Sequence, residues 1–158
     1  MRHAKSSWKE PFSSDFDRTL TKRGKTDAPE MGKRLQRRQI VPDLMMTSPA
    51  KRAVETAKLV AGEIDYPANN IVKNETIYEA KLEELIHLVQ SLDDGADTIL
   101  LIGHNPGFYH LVNHLSEEYL QEFPTSAICA LEFRTDSWRK INQNSGRILF
   151  YDYPKKQH

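Results

Sequence analysis

A single cysteine in 158 residues, Cys129, has no partner for an internal disulfide and excludes a structural zinc site built from several thiolates. It sits in the apolar run 127–131, where a small core residue is its expected role. An excess of one charge is missing too: 22 Lys plus Arg stand against 22 Asp plus Glu, a formal net charge of zero. General binding to nucleic acid or to a membrane surface needs a net basic face that displaces counterions, so neither partner is expected. No run approaches the ~18 apolar residues of a membrane span. The start, Met1-Arg2-His3-Ala4-Lys5, has no hydrophobic signal region, and a cytoplasmic protein is expected. A phosphate-cradling P-loop and a carboxylate cluster suited to catalytic metal ions are also absent, so neither a metal nor a cofactor is expected.

What is present suffices for one core. Hydrophobic residues make up 39% of the chain, with six Phe, six Tyr and two Trp. A chain of this length buries about two thirds of its unfolded surface in one domain. A single domain over 1–154 is expected, followed by a polar tail at 155–158; the polar stretch 134–146 reads as loose. Short apolar runs alternate with amphipathic ones. Residues 43–47 and 98–103 read as strands, the second buried on both faces. After the first, Ser48 and Pro49 read as an N-cap and first helical residue, opening a helix whose apolar side is Ala53, Val54, Ala57, Leu59, Val60 and Ala61. Helical spacing recurs over 81–92 and 108–115. A further helix is expected over 22–38, with Thr21 as its cap and Pro29 kinking or dividing it. Residues 127–133 and 146–153 read as an antiparallel pair at one edge. The whole is an α/β fold, a mostly parallel central sheet with helices on both faces.

Open α/β sheets bind ligands at the carboxyl ends of their strands, which directs attention to the polar residues just past each apolar run. His3 lies beside Arg2 at the N-terminus, Arg52 in the first turn of a helix, and His104 directly after the run ending in Gly103. Singly each has a bland explanation, as a solvated or turn residue. Together, two guanidiniums and two imidazoles suit a tetrahedral dianion, because arginine's planar fork matches phosphate oxygens. Phosphate chemistry without a metal needs a protein nucleophile, and histidine can serve.

The residues resemble the histidine phosphatase superfamily, the phosphoglycerate-mutase-like fold of branch 1. Arg2-His3-Ala4 is similar to its Arg-His-Gly signature, with alanine in the third place. Residues 2–8 with Leu20-Thr21-Lys22-Arg23-Gly24 look like the small bacterial phosphohistidine phosphatases, residues 47–57 like the second arginine motif, and Gly103-His104-Asn105-Pro106-Gly107 like the second histidine motif. The resemblance implies a metal-independent phosphatase in which His3 attacks phosphorus while Arg2, Arg52 and His104 hold the oxygens. The direction of the His3 pKa shift stays open, since neighbouring arginines lower it and a bound dianion raises it. The resemblance also places a proton donor near Glu79, with Glu75, Glu83 and Glu84 as competitors.

Ser6 and Asn105 are expected to add donors to the phosphate; of the pair Ser6 and Ser7 at least one reads as merely solvated. His110 and His114, four apart on a helix, read as core-edge or surface residues, with no acidic third ligand nearby. The basic stretch 33–38 reads as a solvated face that could attract an acidic partner. Family members have a strand before their Arg-His pair, whereas only Met1 precedes Arg2; the first strand is expected to be truncated, with a charged α-amino group adding to the phosphate pocket. A chain without length for a lid suits phosphohistidine on a protein. A small phosphomonoester is the alternative substrate, and a weakly catalytic phosphate- or phosphoprotein-binding module the alternative class.

Overall fold

In the computed structural model, which describes residues 1–9 and 14–157, the two apolar strands lie side by side. β1 (Leu44–Thr47) pairs in parallel with β3 (Ile99–Ile102), Leu44 opposite Ile99 and Thr47 opposite Ile102. A two-residue strand, β2 (Val72–Lys73), adds to the outer side of β1 in parallel and was too short to be read from periodicity. Neighbouring side chains then diverge to opposite faces, as the strand period of two requires. Met45, Leu100 and Ile102 pack with helices α1 (Lys22–Arg37) and α2 (Lys51–Glu63), whereas Met46 and Leu101 pack with α3 (Leu82–Gln90) and α4 (Gly107–Leu115). The expected three layers are present. β4 (Ile128–Phe133) and β5 (Gly146–Asp152) form the expected antiparallel pair.

The first three residues join the two sheets. Arg2 bridges Gly103 in parallel, and the His3 amide donates to the Gly103 carbonyl at 3.0 Å. On the other side the Arg2 amide donates to Ala127 and the Ser126 amide to His3. The N-terminal residues thus take a central place between the two sheets and deliver His3 to the carboxyl edge. The Met1 ammonium turns into the core and donates to the Leu101 carbonyl at 2.8 Å; burial pushes its pKa down to about 5, so the charged α-amino group expected beside Arg2 is largely neutral at pH 7.

Three local expectations are corrected. Pro29 does not divide α1, which runs unbroken for 16 residues while Ala28, Met31, Gly32 and Leu35 are buried against its neighbours. Tertiary burial outweighs the one hydrogen bond a proline removes. Ser48 is not the N-cap of α2; Ala50 is, and the Ser48 hydroxyl pairs instead with His104 at 2.7 Å. Residues 134–146 are packed, not loose: Ile141 is buried, Trp138 donates to the Ala96 carbonyl, and Gln90 donates to Ile141. Among the described residues no helix is long and apolar enough to cross a membrane. His158 of the polar tail lies outside the described residues. Cys129 is half-buried beside the second core, and burial pushes its thiol up to about 11.

Candidate active site

Each proposed site residue is placed by the element that ends just before it. His3 follows the short N-terminal strand, His104 follows β3, and Arg52 stands in the first turn of α2 after β1. Because β1, β3 and the N-terminal residues are neighbours in one sheet, their ends converge. The His3 and His104 ring centroids lie 5.1 Å apart. Arg52 spans both, with Nε 3.4 Å from His3 Nε2 and Nη2 3.4 Å from His104 Nδ1. Arg52 is buried, so its guanidinium is held rather than solvated.

The hydrogen bonds decide both tautomers. His3 Nδ1 lies 2.7 Å from the Ala4 carbonyl, which can only accept, so Nδ1 carries the hydrogen and Nε2 keeps its lone pair toward Arg52. Arg52 can only donate, so His104 Nδ1 accepts and its Nε2–H donates to Ser48 Oγ. Burial, reinforced by His104, Arg52 and Arg2, pushes the His3 pKa down to about 3 against the opposing pull of the Ala4 carbonyl. Burial and then Arg52 hold His104 at about 4. Both rings are neutral at physiological pH, which settles the question for the unliganded site: His3 presents an unprotonated nitrogen.

Supporting contacts fix this geometry. The Ala4 amide donates to Thr56 Oγ1, which donates to the Arg52 carbonyl at 2.7 Å, tying the histidine loop to α2. Ala4, in place of the signature glycine, packs with Leu20 and Ala28. Gly24 lets α1 approach this loop, since a Cβ there would lie 2.2 Å from the Lys5 carbonyl oxygen. Arg2 donates through Nη1 to the Phe123 carbonyl, and its buried Nε has no hydrogen-bond partner among the described residues.

Arg2, His3, Arg52, His104, Ser6, Asn105 and Glu79 all line one open cavity of about 770 Å³. Glu83 also lines it, but Glu75 and Glu84 do not. Glu84 accepts from the Lys81 amide at the start of α3. Ser6 takes a hydrogen bond from Arg18 Nη2, and the Asn105 amide is engaged with the Phe123 carbonyl and the Tyr109 amide. His110 reaches the rim of the cavity, whereas the His114 backbone carbonyl accepts from Asn144. No group of three or more potential metal ligands occurs among the described residues.

Three residues escaped the sequence reading: Asp15, Arg18 and Tyr78. They lie in or directly after single 3-10 turns, 15–17 and 75–77, too short to show periodicity, and only the position of Arg18 just before the Leu20-Thr21 motif and of Tyr78 beside Glu79 hinted at them. The Asp15 carboxylate accepts from Arg52 Nη2 at 3.1 Å, from Tyr78 at 2.7 Å and from Arg18 Nη1 at 2.9 Å.

With this constellation in place, comparison with known proteins is informative. A family model of the histidine phosphatase superfamily (branch 1) matches residues 1–89, more than half of the chain. The chain belongs to the histidine phosphatase superfamily. It is a hydrolase of that superfamily's phosphatase class, and its substrates bear a phosphoryl group. The SixA protein of Agrobacterium tumefaciens superposes with a TM-score of 0.83 at 26% identity, covering 98% of this chain and 95% of its own. The protein histidine phosphatase SixA in complex with tungstate has the same fold, with a TM-score of 0.82 at 23% identity over 97% of this chain and 94% of its own. An uncharacterized protein of Mycobacterium leprae is 27% identical over 98% of this chain and all of its own length. Similarity to such proteins runs far beyond the family model's match and includes the His104 half of the site.

Proposed function

We propose that this histidine phosphatase removes the phosphoryl group from phosphohistidine on a protein, without a metal ion and through a phosphorylated His3. The observation that carries the chemistry is the aimed, unprotonated Nε2 of His3, 3.4 Å from Arg52 Nε and beside a second imidazole. Nε2 forms a bond to phosphorus as the bond from phosphorus to the substrate's nitrogen breaks, and the departing imidazole nitrogen takes a proton. Water then attacks phosphorus, breaking the bond to Nε2 and releasing inorganic phosphate. Arg2, Arg52 and His104 stabilise the equatorial oxygens in both steps, where fixed donors cost no reorganisation as charge shifts.

The phosphohistidine assignment is supported by the likeness to SixA and by the open cavity, which leaves room for a phosphorylated side chain on a folded partner. In this reading Glu79 on the cavity wall is the proton donor. It is exposed and has a positive φ of 54°. Ser6 acts by holding Arg18, and Asn105 by bracing the Phe123 carbonyl that Arg2 shares. A cytoplasmic location belongs to the same reading.

The test compares a phosphohistidine-bearing protein with para-nitrophenyl phosphate, in chelator, for the intact chain and His3→Ala. Turnover of both substrates that vanishes in His3→Ala is expected, with the phosphohistidine protein preferred. Persisting turnover in the variant, or a strict metal requirement, would refute the mechanism. Glu79→Gln should slow a simple alkyl phosphate far more than phosphohistidine, because an alkoxide needs its proton more. Equal losses would remove Glu79 from the role.

A further inference from the structure

The cavity holds more cationic groups than one phosphoryl group needs, and one of them is spent internally. Arg18 donates Nη1 to Asp15, Nη2 to Ser6 Oγ and Nε to the Ser7 carbonyl, while its guanidinium carbon sits 3.2 Å over the Trp8 ring. Each of the three guanidinium nitrogens therefore has a partner. Asp15 does the same to part of Arg52: its carboxylate takes Nη2, and its backbone carbonyl takes Nη1 at 2.6 Å. Tyr78 adds a hydrogen bond that fixes the carboxylate from a third side. Although burial alone would raise the Asp15 pKa, these bonds from Tyr78, Arg18 and Arg52 outweigh it and hold the pKa at about 2, so the charge persists across the working pH range.

A phosphoryl group seated between His3, Arg52 and His104 takes the Arg52 edge that faces those rings. Arg18 then remains paired with Asp15. A substrate with a second anion near its phosphate finds the adjacent guanidinium already neutralised and a fixed carboxylate beside it. The exposed ammonium groups of Lys5 and Lys81 also line the cavity, but long solvated side chains confer little net attraction.

We propose that Asp15 is a specificity-determining residue: by neutralising Arg18 and facing the cavity, it disfavours phosphorylated substrates that carry a carboxylate beside the phosphate and leaves those whose phosphate is borne by an uncharged or cationic group. This rests on the phosphatase reading and narrows its substrate class.

The test uses two ligands of one size, glycerol 3-phosphate and 3-phosphoglycerate, which differ in a hydroxymethyl group against a carboxylate. Their dissociation constants are measured by titration calorimetry on the full chain carrying His3→Ala, which prevents turnover, with and without Asp15→Asn or Asp15→Glu. Asp15→Asn should improve binding of 3-phosphoglycerate relative to glycerol 3-phosphate by about tenfold at low salt, and the gain should shrink as salt screens it. Asp15→Glu should restore the original ratio. A uniform change in both affinities marks Asp15 as merely structural and overturns the proposal, as does an unchanged ratio. Turnover of para-nitrophenyl phosphate by the intact chain is read in parallel. Its failure refutes the phosphatase reading alone, because the affinity ratio is obtained without catalysis.

Discussion

Replacing His3 by glutamine should flatten the acid side of the protein's stability curve. His3 is only 7% exposed, and its pKa falls from 6.5 to about 3 on folding. A basic group with a depressed folded pKa costs stability as pH falls: below 6.5 the unfolded chain takes up the proton that the folded chain refuses, and the penalty grows until about pH 3. The linkage relation makes this roughly 2 kcal/mol at pH 5 relative to pH 7.5 for His3 alone. In a domain of this size that corresponds to about 4–8 °C in melting temperature. The window matters, because Asp15, at about 2, stays ionised throughout it and does not contribute. The Met1 amine and His104 do titrate there in the same direction, but they do so in both proteins. Thermal melts of intact chain and His3→Gln in phosphate-free buffer from pH 7.5 to 5 give the comparison. His3→Gln loses contacts and starts from a different neutral-pH stability; the slope carries the information. Parallel curves would refute the buried neutral imidazole, and with it the argument that His3 is a ready nucleophile.

Other substitutions test the supports of the site. Ser48→Ala removes the acceptor that orients His104, and misplacing that ring by the loss of one hydrogen bond of about 1–1.5 kcal/mol should lower kcat roughly tenfold in steady-state assays. Thr56→Val keeps the volume but strands the buried Ala4 amide, so denaturant unfolding should show a loss of about 1–3 kcal/mol together with slower turnover; an effect on stability alone would separate Thr56 from the positioning of Arg52. Gly24→Ala places a methyl group against the Lys5 carbonyl, and despite alanine's better helix propensity it should destabilise by about 1–3 kcal/mol on the same scale. A neutral or stabilising result there would show that α1 can move away from the histidine loop.

Much of the fold is legible in the sequence, for identifiable reasons. The apolar runs 43–47 and 98–103 are long enough to declare themselves as strands, and the polar residues directly behind them mark a sheet edge. Thr21 caps α1 as its residue type suggested, its hydroxyl accepting from the Gly24 amide at 3.1 Å. Where the reading failed, a tertiary contact had displaced a local preference. Ser48 has the chemistry of an N-cap, but His104, 56 residues away, takes its hydroxyl. Pro29 weakens a helix that its buried neighbours nevertheless hold together. Residues 134–146 look soluble by composition, yet Trp138 and Ile141 pin them to the second core.

By itself, the chain's sequence determined that this is a neutral α/β domain with two arginines and two histidines at strand ends, because composition, periodicity and short motifs are local properties. Only the tertiary structure decided which nitrogen of each imidazole is free, that both rings are uncharged, and that Asp15, Arg18 and Tyr78 complete the site. Those outcomes depend on burial and on hydrogen bonds between residues up to 63 positions apart, such as Tyr78 to Asp15. A proton's place is set by which acceptor faces it, and no pattern along the chain records that.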